Sequence, residues 1–221
     1  MSCCCVVVLV AKKRGEKTPA SDRADRAPIV SPANDQSPIS LSHDMPNLLH
    51  SKFKFSVTKN EFVFQFLAAL NPIFQVQANP PTTSVGGEFY TLIQYHFHTP
   101  AEHPVDDVIY PLESHFVFGS ESGATLALGF LFKFTDGKSH WLVRDALTKT
   151  TTKVPQVDSD FFVYTGSLTT PPTDTNINWQ LWDSTFCVNK RDLLQLVDNG
   201  MVQNARPVQD RNGRLVGLTR E

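Results

Sequence analysis

Four of the seven histidines fall within twenty residues of one another, at His96, His98, His103 and His115. The run Gln94–His98 has the alternation of a β-strand, on which residues two apart share a face, so its two histidines can reach one metal ion. His115 lies in the β-prone segment Leu112–Phe118. The connection between the two segments is too short for a helical crossover and suits an antiparallel neighbour. Three imidazoles that leave one coordination position open are typical of a catalytic zinc site.

The residues beside two of these histidines are the hydrogen-bond partners that a metal-bound imidazole needs. Such a histidine usually donates its second ring N–H to an amide, carboxylate or carbonyl oxygen. Gln94 shares a face with His96, and Glu113 shares a face with His115. These placements favour a metal site over the alternative that each histidine is a packed core residue. The same alternation predicts one opposite face for Ile93, Tyr95 and Phe97.

Five segments, taken in order, match the motifs of a known family: Gln36–Ile39, His96–His103, Tyr110–His115, Tyr164–Pro172 and Asn204–Gln209. Together they resemble the α-class carbonic anhydrases over roughly residues 36–214. The resemblance implies a carbonate dehydratase, a zinc lyase that hydrates CO₂ reversibly to bicarbonate and a proton through zinc-bound hydroxide. It implies one Zn²⁺ held by His96, His98 and His115. It also implies CO₂, bicarbonate, sulfonamides and small anions as the small molecules that bind.

The resemblance assigns roles to further residues. Thr169 would accept a hydrogen bond from the zinc hydroxide and pass its own proton to Glu102. The backbone carbonyl of Asn204 would hold the His98 ring. The substrate pocket, with its apolar wall for CO₂, is implied to consist of Val117, Ala127, Leu168, Thr170, Ile177 and Trp179. Two further residues resemble buried structural supports of the family: His103 and Tyr164.

The sequence departs from the family at the position of the proton-shuttle histidine. Aligned on Phe74-Gln75-Val76, that position falls on Pro72, with Leu70 where an asparagine is common. Because proline carries no titratable group, we predict that proton release limits the reaction. His43 and His50 are candidate substitutes, but nothing in the sequence places them near the site.

Composition and length indicate a single mainly β domain (β-rich α+β). The chain has 221 residues with 16 Phe and 15 Pro, and its formal charge of −2 argues against a nucleic-acid partner. The family resemblance adds a large, twisted, mostly antiparallel central sheet with a few short helices. Strands are predicted at Phe53–Val57, Phe62–Phe66, Phe89–His98, Leu112–Phe118, Thr125–Phe134 and Phe161–Tyr164. A helix is predicted at Lys190–Val197, with Asn189 as its cap.

The first 33 residues read as a flexible or disordered leader, followed by a catalytic domain at residues 34–221. Cys3–Cys5 beside the basic run Lys12–Arg14 could form an acylated membrane anchor, but a disordered leader is the favoured interpretation. The disulfide of extracellular relatives is missing, because Thr173 follows Pro172. Its absence favours the cytoplasm and leaves secretion or membrane association open.

Two other functions fit parts of the pattern. The first is a catalytically weak relative that keeps the fold and serves as a binding module, although such relatives typically lose a ligand histidine. The second is a cupin-type metalloenzyme, since His96, His98 and Glu102 also fit its first motif. That family needs a late Pro-x-Gly-x-x-His motif, which the sequence lacks.

Overall fold

The computed structural model describes residues 34–49, 57 and 60–220, and these form twelve strands and two helices. The strands are β1 (Asn47–Leu49), β2 (Glu61–Leu67), β3 (Ile73–Ala78), β4 (Thr82–Val85), β5 (Glu88–Thr99), β6 (Leu112–Ser120), β7 (Thr125–Phe134), β8 (Thr151–Lys153), β9 (Phe161–Ser167), β10 (Thr175–Val188), β11 (Gln203–Asn204) and β12 (Val216–Arg220). The helices are α1 (Trp141–Thr148) and α2 (Lys190–Asp198).

All twelve strands belong to one mixed, twisted sheet, which confirms the mainly β class. The order is β1-β12-β9-β10-β7-β6-β5-β3-β2-β8, with β4 and β11 also paired to β5. Three pairings are parallel, namely β1 with β12, β7 with β10, and β5 with β11, and the other pairings are antiparallel. No helix in the described ranges is long and apolar enough to cross a bilayer.

Side chains on the two faces of the sheet form two separate hydrophobic clusters. Along β7, Leu128 and Phe130 belong to an aromatic-rich cluster that α1 and α2 cover, whereas Ala127 and Leu131 belong to the other. The aromatic-rich cluster contains Tyr95, which stacks between Phe74 at 4.6 Å and Phe116 at 5.2 Å. A sheet buried on both faces gives the side chains on its central strands fixed surroundings.

Five predicted strands lie within β2, β5, β6, β7 and β9, and the predicted helix lies within α2. The Asn189 side chain caps α2 by accepting the Asp192 N–H at 2.8 Å. The pattern does not predict α1, whose capping side chain is His140, an unusual cap. It also misses β10, in which a bulge separates Trp182 from Thr185. The predicted leader at residues 1–33 and residues 53–56 of the predicted strand lie outside the described residues.

The predicted face for Ile93 is wrong. The register of β5 against β6 shifts between Leu92 and Gln94, so Ile93 is an extra residue in a β-bulge. Leu92, Tyr95 and Phe97 are buried together in the aromatic-rich cluster, whereas Ile93 is half exposed. The bulge restarts the alternation, so strict period-two counting fails at this one residue.

Candidate metal centre and active site

The three candidate metal ligands are brought together by the pairing of β5 with β6. His96 on β5 lies directly opposite His115 on β6, and His98 follows His96 on the same face. All three side chains are buried, with at most 6% of any of them exposed. Adjacent strands run about 4.8 Å apart, so three imidazoles meet here within regular sheet geometry.

One ring nitrogen from each of these histidines points into a common space. The three nitrogens lie within 4.8 Å of one another, and His115 Nδ1 is 3.3 Å from His96 Nε2. His98 Nε2 is buried and has no hydrogen-bond partner among the described residues. A buried polar atom without a partner costs free energy. The cluster therefore has the spacing of a three-histidine metal site, and His98 Nε2 lacks the partner that a metal ion would supply.

The outer nitrogen of each ring faces an oxygen that accepts a hydrogen bond. The pairs are His96 Nδ1 with Gln94 Oε1 at 2.9 Å, His98 Nδ1 with the Asn204 carbonyl oxygen at 3.2 Å, and His115 Nε2 with Glu113 Oε1 at 2.7 Å. Each acceptor fixes the ring proton on the outer nitrogen and leaves a lone pair on the inner one. The neighbours thus set all three tautomers for metal binding.

Burial keeps two of these imidazoles neutral. Burial, followed by the proximity of His115, lowers the pKa of His98 to about 3. Burial and the proximity of His98 also hold the pKa of His96 well below its usual value. Burial acts on His115 in the same direction, but the Glu113 carboxylate outweighs it and raises the pKa of His115. Neutral imidazole is the form that binds a metal ion.

Glu113 also belongs to a second buried cluster, with His103 and His115. Its Oε2 accepts the backbone N–H of Glu102 at 2.8 Å and of His103 at 2.9 Å, and its Oε1 lies 2.7 Å from His103 Nδ1. His103 Nε2 lies 2.7 Å from the Tyr164 hydroxyl. Burial opposes ionisation of Glu113, yet His103 and His115 together hold its pKa well below the usual range. Because both His103 nitrogens have partners, this cluster offers no converging lone pairs.

A glycine that the sequence analysis did not single out makes room for this carboxylate. Gly129 on β7 lies opposite His115. A Cβ at this position would lie 2.3 Å from Leu181 Cδ1 and 3.2 Å from Glu113 Oε1. A glycine within a predicted strand is a signal of close approach, but the sequence does not tell which group approaches.

Glu102 and Thr169 lie next to each other beside the histidines, and both are buried. Glu102 Oε1 is 3.4 Å from His98 Nδ1 and accepts the backbone N–H of Arg206 at 2.7 Å. Burial raises the pKa of Glu102, whereas the charge of His115, the Arg206 N–H and the nearby Thr169 hydroxyl favour its ionised form. The second oxygen of the carboxylate, Oε2, lies 4.0 Å from His115 Nδ1 and has no hydrogen-bond partner among the described residues.

The predicted pocket residues lie on four neighbouring elements: Val117 on β6, Ala127 on β7, Ile177 and Trp179 on β10, and Leu168 and Thr170 in the loop after β9. Val117 pairs with Ala127, and Ala127 pairs with Trp179, so these three form a row across the sheet. The Trp179 ring lies 4.8 Å from the His115 ring. Leu168 packs against the buried cluster that contains Ala127 and Ile177. The row places apolar surface beside the histidines.

The candidate shuttle positions lie at the end of the β2–β3 loop. Pro72 is buried, and its carbonyl oxygen accepts the Gln203 side-chain N–H at 2.8 Å. Leu70 is 89% exposed. His43 lies elsewhere, with one ring nitrogen bonded to Asp106 and the other to Asp183. His50 lies outside the described residues.

Sequence reasoning gave no role to the residues that anchor Glu102 from behind. The Arg206 guanidinium donates to Gln36 Oε1 at 2.9 Å and to the Ser37 carbonyl oxygen at 2.8 Å. Ser37 Oγ also accepts the Tyr164 hydroxyl at 2.9 Å. These residues lie in three of the matched motifs, but Arg206 is 170 residues from Gln36 along the chain, and this separation hid the contact.

Comparison with known proteins identifies the fold and the family. A sequence model described as eukaryotic-type carbonic anhydrase matches residues 24–220. A carbonic anhydrase of Pectobacterium carotovorum is 25% identical over 91% of this chain and 84% of its own length. The α-carbonic anhydrase of Photobacterium profundum superposes with a TM-score of 0.71 at 25% identity, covering 85% of this chain and 90% of its own. The Thermovibrio ammonificans α-carbonic anhydrase in complex with sulfanilamide gives 0.71 at 24% identity, covering 85% and 88%.

The large mixed sheet with a buried three-histidine cluster is thus the fold of the α-class carbonic anhydrases. The chain belongs to the eukaryotic-type carbonic anhydrase family. It is a carbonate dehydratase, a lyase that interconverts CO₂ and bicarbonate.

Proposed function

We propose that this chain hydrates CO₂ with one Zn²⁺ held by His96, His98 and His115, and that proton release limits its turnover. The observation that carries the proposal is the convergence of three imidazole nitrogens whose outer partners are all hydrogen-bond acceptors. His98 Nε2, buried without a partner among the described residues, supports it further. We also propose residues 34–221 as the catalytic domain.

The donor set fits zinc. Imidazole nitrogen is a preferred zinc ligand, and three protein ligands leave a position open for chemistry. When bound, Zn²⁺ supplies a Lewis acid that lowers the pKa of a water from 15.7 to about 7, so that hydroxide is available at neutral pH. Gln94, Glu113 and the Asn204 carbonyl hold the three rings in the required tautomer and orientation.

Thr169 and Glu102 orient the nucleophile in this proposal. An ionised Glu102 carboxylate would accept a hydrogen bond from the Thr169 hydroxyl, so the Thr169 oxygen would act as an acceptor towards a group in the site. A hydroxide that donates to this oxygen would keep a lone pair free to attack the CO₂ carbon. A sulfonamide N–H can donate to the same oxygen, and the sulfanilamide complex of a fold neighbour motivates sulfonamides as inhibitors here.

The apolar row beside the histidines would hold CO₂. CO₂ carries no net charge, so a wall of Val117, Ala127 and Trp179 receives it without a desolvation cost, and the pocket is closed by Leu168, Thr170 and Ile177. Bicarbonate is charged and is less well accommodated by this wall. Differential affinity of this kind favours release of the product.

Slow proton release rests on where the other described histidines lie. His43 is bonded to two aspartates, His103 lies between Glu113 and Tyr164, and His140 caps α1 with its ring stacked on Phe186 at 3.9 Å. Pro72 occupies the position predicted for the shuttle. We infer from these pairings that none of the described histidines carries the proton to buffer.

Stopped-flow CO₂ hydration on the zinc-loaded full chain tests the proposal. We expect one zinc per chain, inhibition by a sulfonamide, and a kcat that rises several-fold with added imidazole while kcat/KM stays constant. Thr169→Val serves as the variant with a disturbed site, and it should lose both activity and sulfonamide affinity. A folded chain that binds no zinc overturns the metal assignment, and a kcat that imidazole does not change overturns the proton-release limit. A chain that binds zinc but hydrates no CO₂ would instead be the catalytically weak binding module.

A further inference from the structure

The backbone N–H of Arg206 is a direct hydrogen-bond donor to the Glu102 carboxylate, at 2.7 Å. This amide lies in an irregular segment, because β11 ends at Asn204 and β12 begins only at Val216. A sheet ladder therefore does not fix its position. Backbone bonds hold the chain on either side, at β11 and where the Gln209 N–H donates to the Pro38 carbonyl oxygen at 2.8 Å. Between these points the amide relies on side-chain contacts to stay aimed at Glu102.

The Arg206 side chain supplies such contacts. Its Nη1 donates to Gln36 Oε1 at 2.9 Å and to the Ser37 carbonyl oxygen at 2.8 Å. Both N–H groups of Nη1 thus donate to one segment, which fixes the position of this end of the guanidinium. The same residue thus donates hydrogen bonds to Gln36–Ser37 from its side chain and to Glu102 from its backbone amide.

The Gln36–Ser37 segment also binds the strand end that leads to Thr169. The Ser37 N–H donates to Ser167 Oγ at 2.9 Å, and Ser37 Oγ accepts the Ser167 N–H at 3.1 Å. This close approach requires a glycine, since a Cβ at Gly166 would lie 2.1 Å from Ser37 Oγ. Ser167 precedes Thr169 by two residues, so Gln36–Ser37 lies between the anchors of Glu102 and of Thr169.

We infer that Arg206 is a positioning residue that, together with Gln36–Ser37, fixes the position of Glu102 relative to Thr169. This inference rests on the proposed role of the Thr169–Glu102 pair in CO₂ hydration. Loss of the guanidinium frees the amide to move, Glu102 loses a fixed donor, and the Thr169 hydroxyl loses its fixed acceptor. Arg206 forms no hydrogen bond or ion pair with the metal ligands in the described part of the chain, so we expect zinc to be retained when its side chain is removed.

A matched pair of arginine variants separates positioning from general support. Arg214 also binds this segment, through Nη2 to the Gln36 carbonyl oxygen at 2.8 Å and Nη1 to the Thr165 carbonyl oxygen at 3.2 Å. Arg214 forms no hydrogen bond with Glu102 in the described part of the chain. Arg206→Met and Arg214→Met both remove a guanidinium from the Gln36–Ser37 segment. The second also removes the ion pair with buried Asp35, at 3.5 Å, so it disturbs stability at least as much as the first. Only the first releases the Glu102 anchor.

The experiment measures kcat/KM, zinc content and sulfonamide affinity for both variants, for Glu102→Gln, and for the Arg206→Met/Glu102→Gln double variant, all as zinc-loaded full chains. We expect Arg206→Met to retain zinc, to lose about 10- to 100-fold in kcat/KM, as small misplacements do, and to bind a sulfonamide more weakly. Arg214→Met should keep kcat/KM within about threefold, a loss well below that expected from misplacement. The double variant should be no slower than Glu102→Gln alone, because Arg206 acts through Glu102.

Two outcomes overturn the inference: losses that multiply in the double variant, or equal losses in kcat/KM for the two arginine variants. If Arg206→Met does not fold, Arg206→Lys replaces it, with a smaller loss expected and the same comparison applied. If Glu102→Gln is as active as the unaltered chain, the proposed function of the Thr169–Glu102 pair fails instead, and that result is distinguishable from the other two.

Discussion

Two groups of buried histidines share the Glu113 carboxylate, yet they differ in what their nitrogens face. In the ligand trio, the inner nitrogens of His96, His98 and His115 face one another, and only the outer ones have acceptors. His103, by contrast, has a partner on each nitrogen, Glu113 on one side and Tyr164 on the other. The difference teaches how the two can be told apart. In the described residues the metal site has one buried nitrogen without a partner, His98 Nε2, beside two that face only each other, whereas the structural histidine is paired on both sides.

The largest effect is expected when His98 is removed, because its Nε2 has no hydrogen-bond partner among the described residues. His98→Ala removes one of three candidate ligands, so zinc should be lost and CO₂ hydration should fall to the uncatalysed rate. Elemental analysis and stopped-flow kinetics measure both. Tyr95→Phe on the same strand, facing the opposite cluster, is the matched control and should keep zinc and activity. If His98→Ala retained a full zinc equivalent, the open cluster would not be the metal site.

His103→Ala should instead lower the stability of the chain while zinc can still bind. It leaves the buried Glu113 carboxylate and Tyr164 hydroxyl without this partner, and a buried charged group that loses its partner costs about 3 kcal/mol of unfolding free energy. At saturating zinc the chain should still bind one ion, with affinity reduced by about 10- to 100-fold because Glu113 orients His115 less firmly. Urea unfolding and zinc titration test this. Loss of zinc with unchanged stability would erase the distinction between the two histidine groups.

His140 extends the comparison to a histidine that burial keeps neutral without a metal. Burial, followed by the charge of Arg144, lowers the pKa of His140 to about 4. The unfolded chain, with a pKa near 6.5, binds a proton first as the pH falls, so stability is present above pH 6.5 and is lost towards pH 4. His140→Asn keeps a capping side chain. Between pH 6.5 and pH 4 its free energy of unfolding should fall by on the order of 1 kcal/mol less than that of the unaltered chain. Unfolding curves parallel to those of the unaltered chain would contradict this.

The smallest effect is expected at His43, a surface histidine whose two ring nitrogens are each bonded to an aspartate. Hydrogen bonds to Asp106, then to Asp183, raise the pKa of His43. Its stabilising contribution is therefore fully present below pH 6.5 and is lost as the pH rises through the folded-state pKa. His43→Gln should lower Tm by about 2 °C or less at pH 6, and by less at pH 9. A Tm difference that does not change with pH would show that charge plays no part.

Much of the central sheet could be read from the residues, because alternation and aromatic content were strong there. Five of the six predicted strands lie within β2, β5, β6, β7 and β9, and Asn189 caps the predicted helix. The failures have local physical causes. A bulge moved Ile93 out of the core, and another bulge interrupts the pattern of β10. Helix α1 begins at a histidine cap, which propensity alone does not indicate.

Residue types and spacing by themselves determined the chemistry available to this chain: three imidazoles on neighbouring strands, two of which have an acceptor two residues away. The acceptor for the third, the Asn204 carbonyl, was implied only by the family resemblance. Two residues along a strand always share a face, so this part needs no knowledge of the fold. Only the tertiary structure decided which nitrogen stays free, that His103 is fully paired, and that Arg206 reaches both Glu102 and Gln36. Contacts between residues more than a hundred positions apart are set by how the sheet is packed, and no local pattern encodes them.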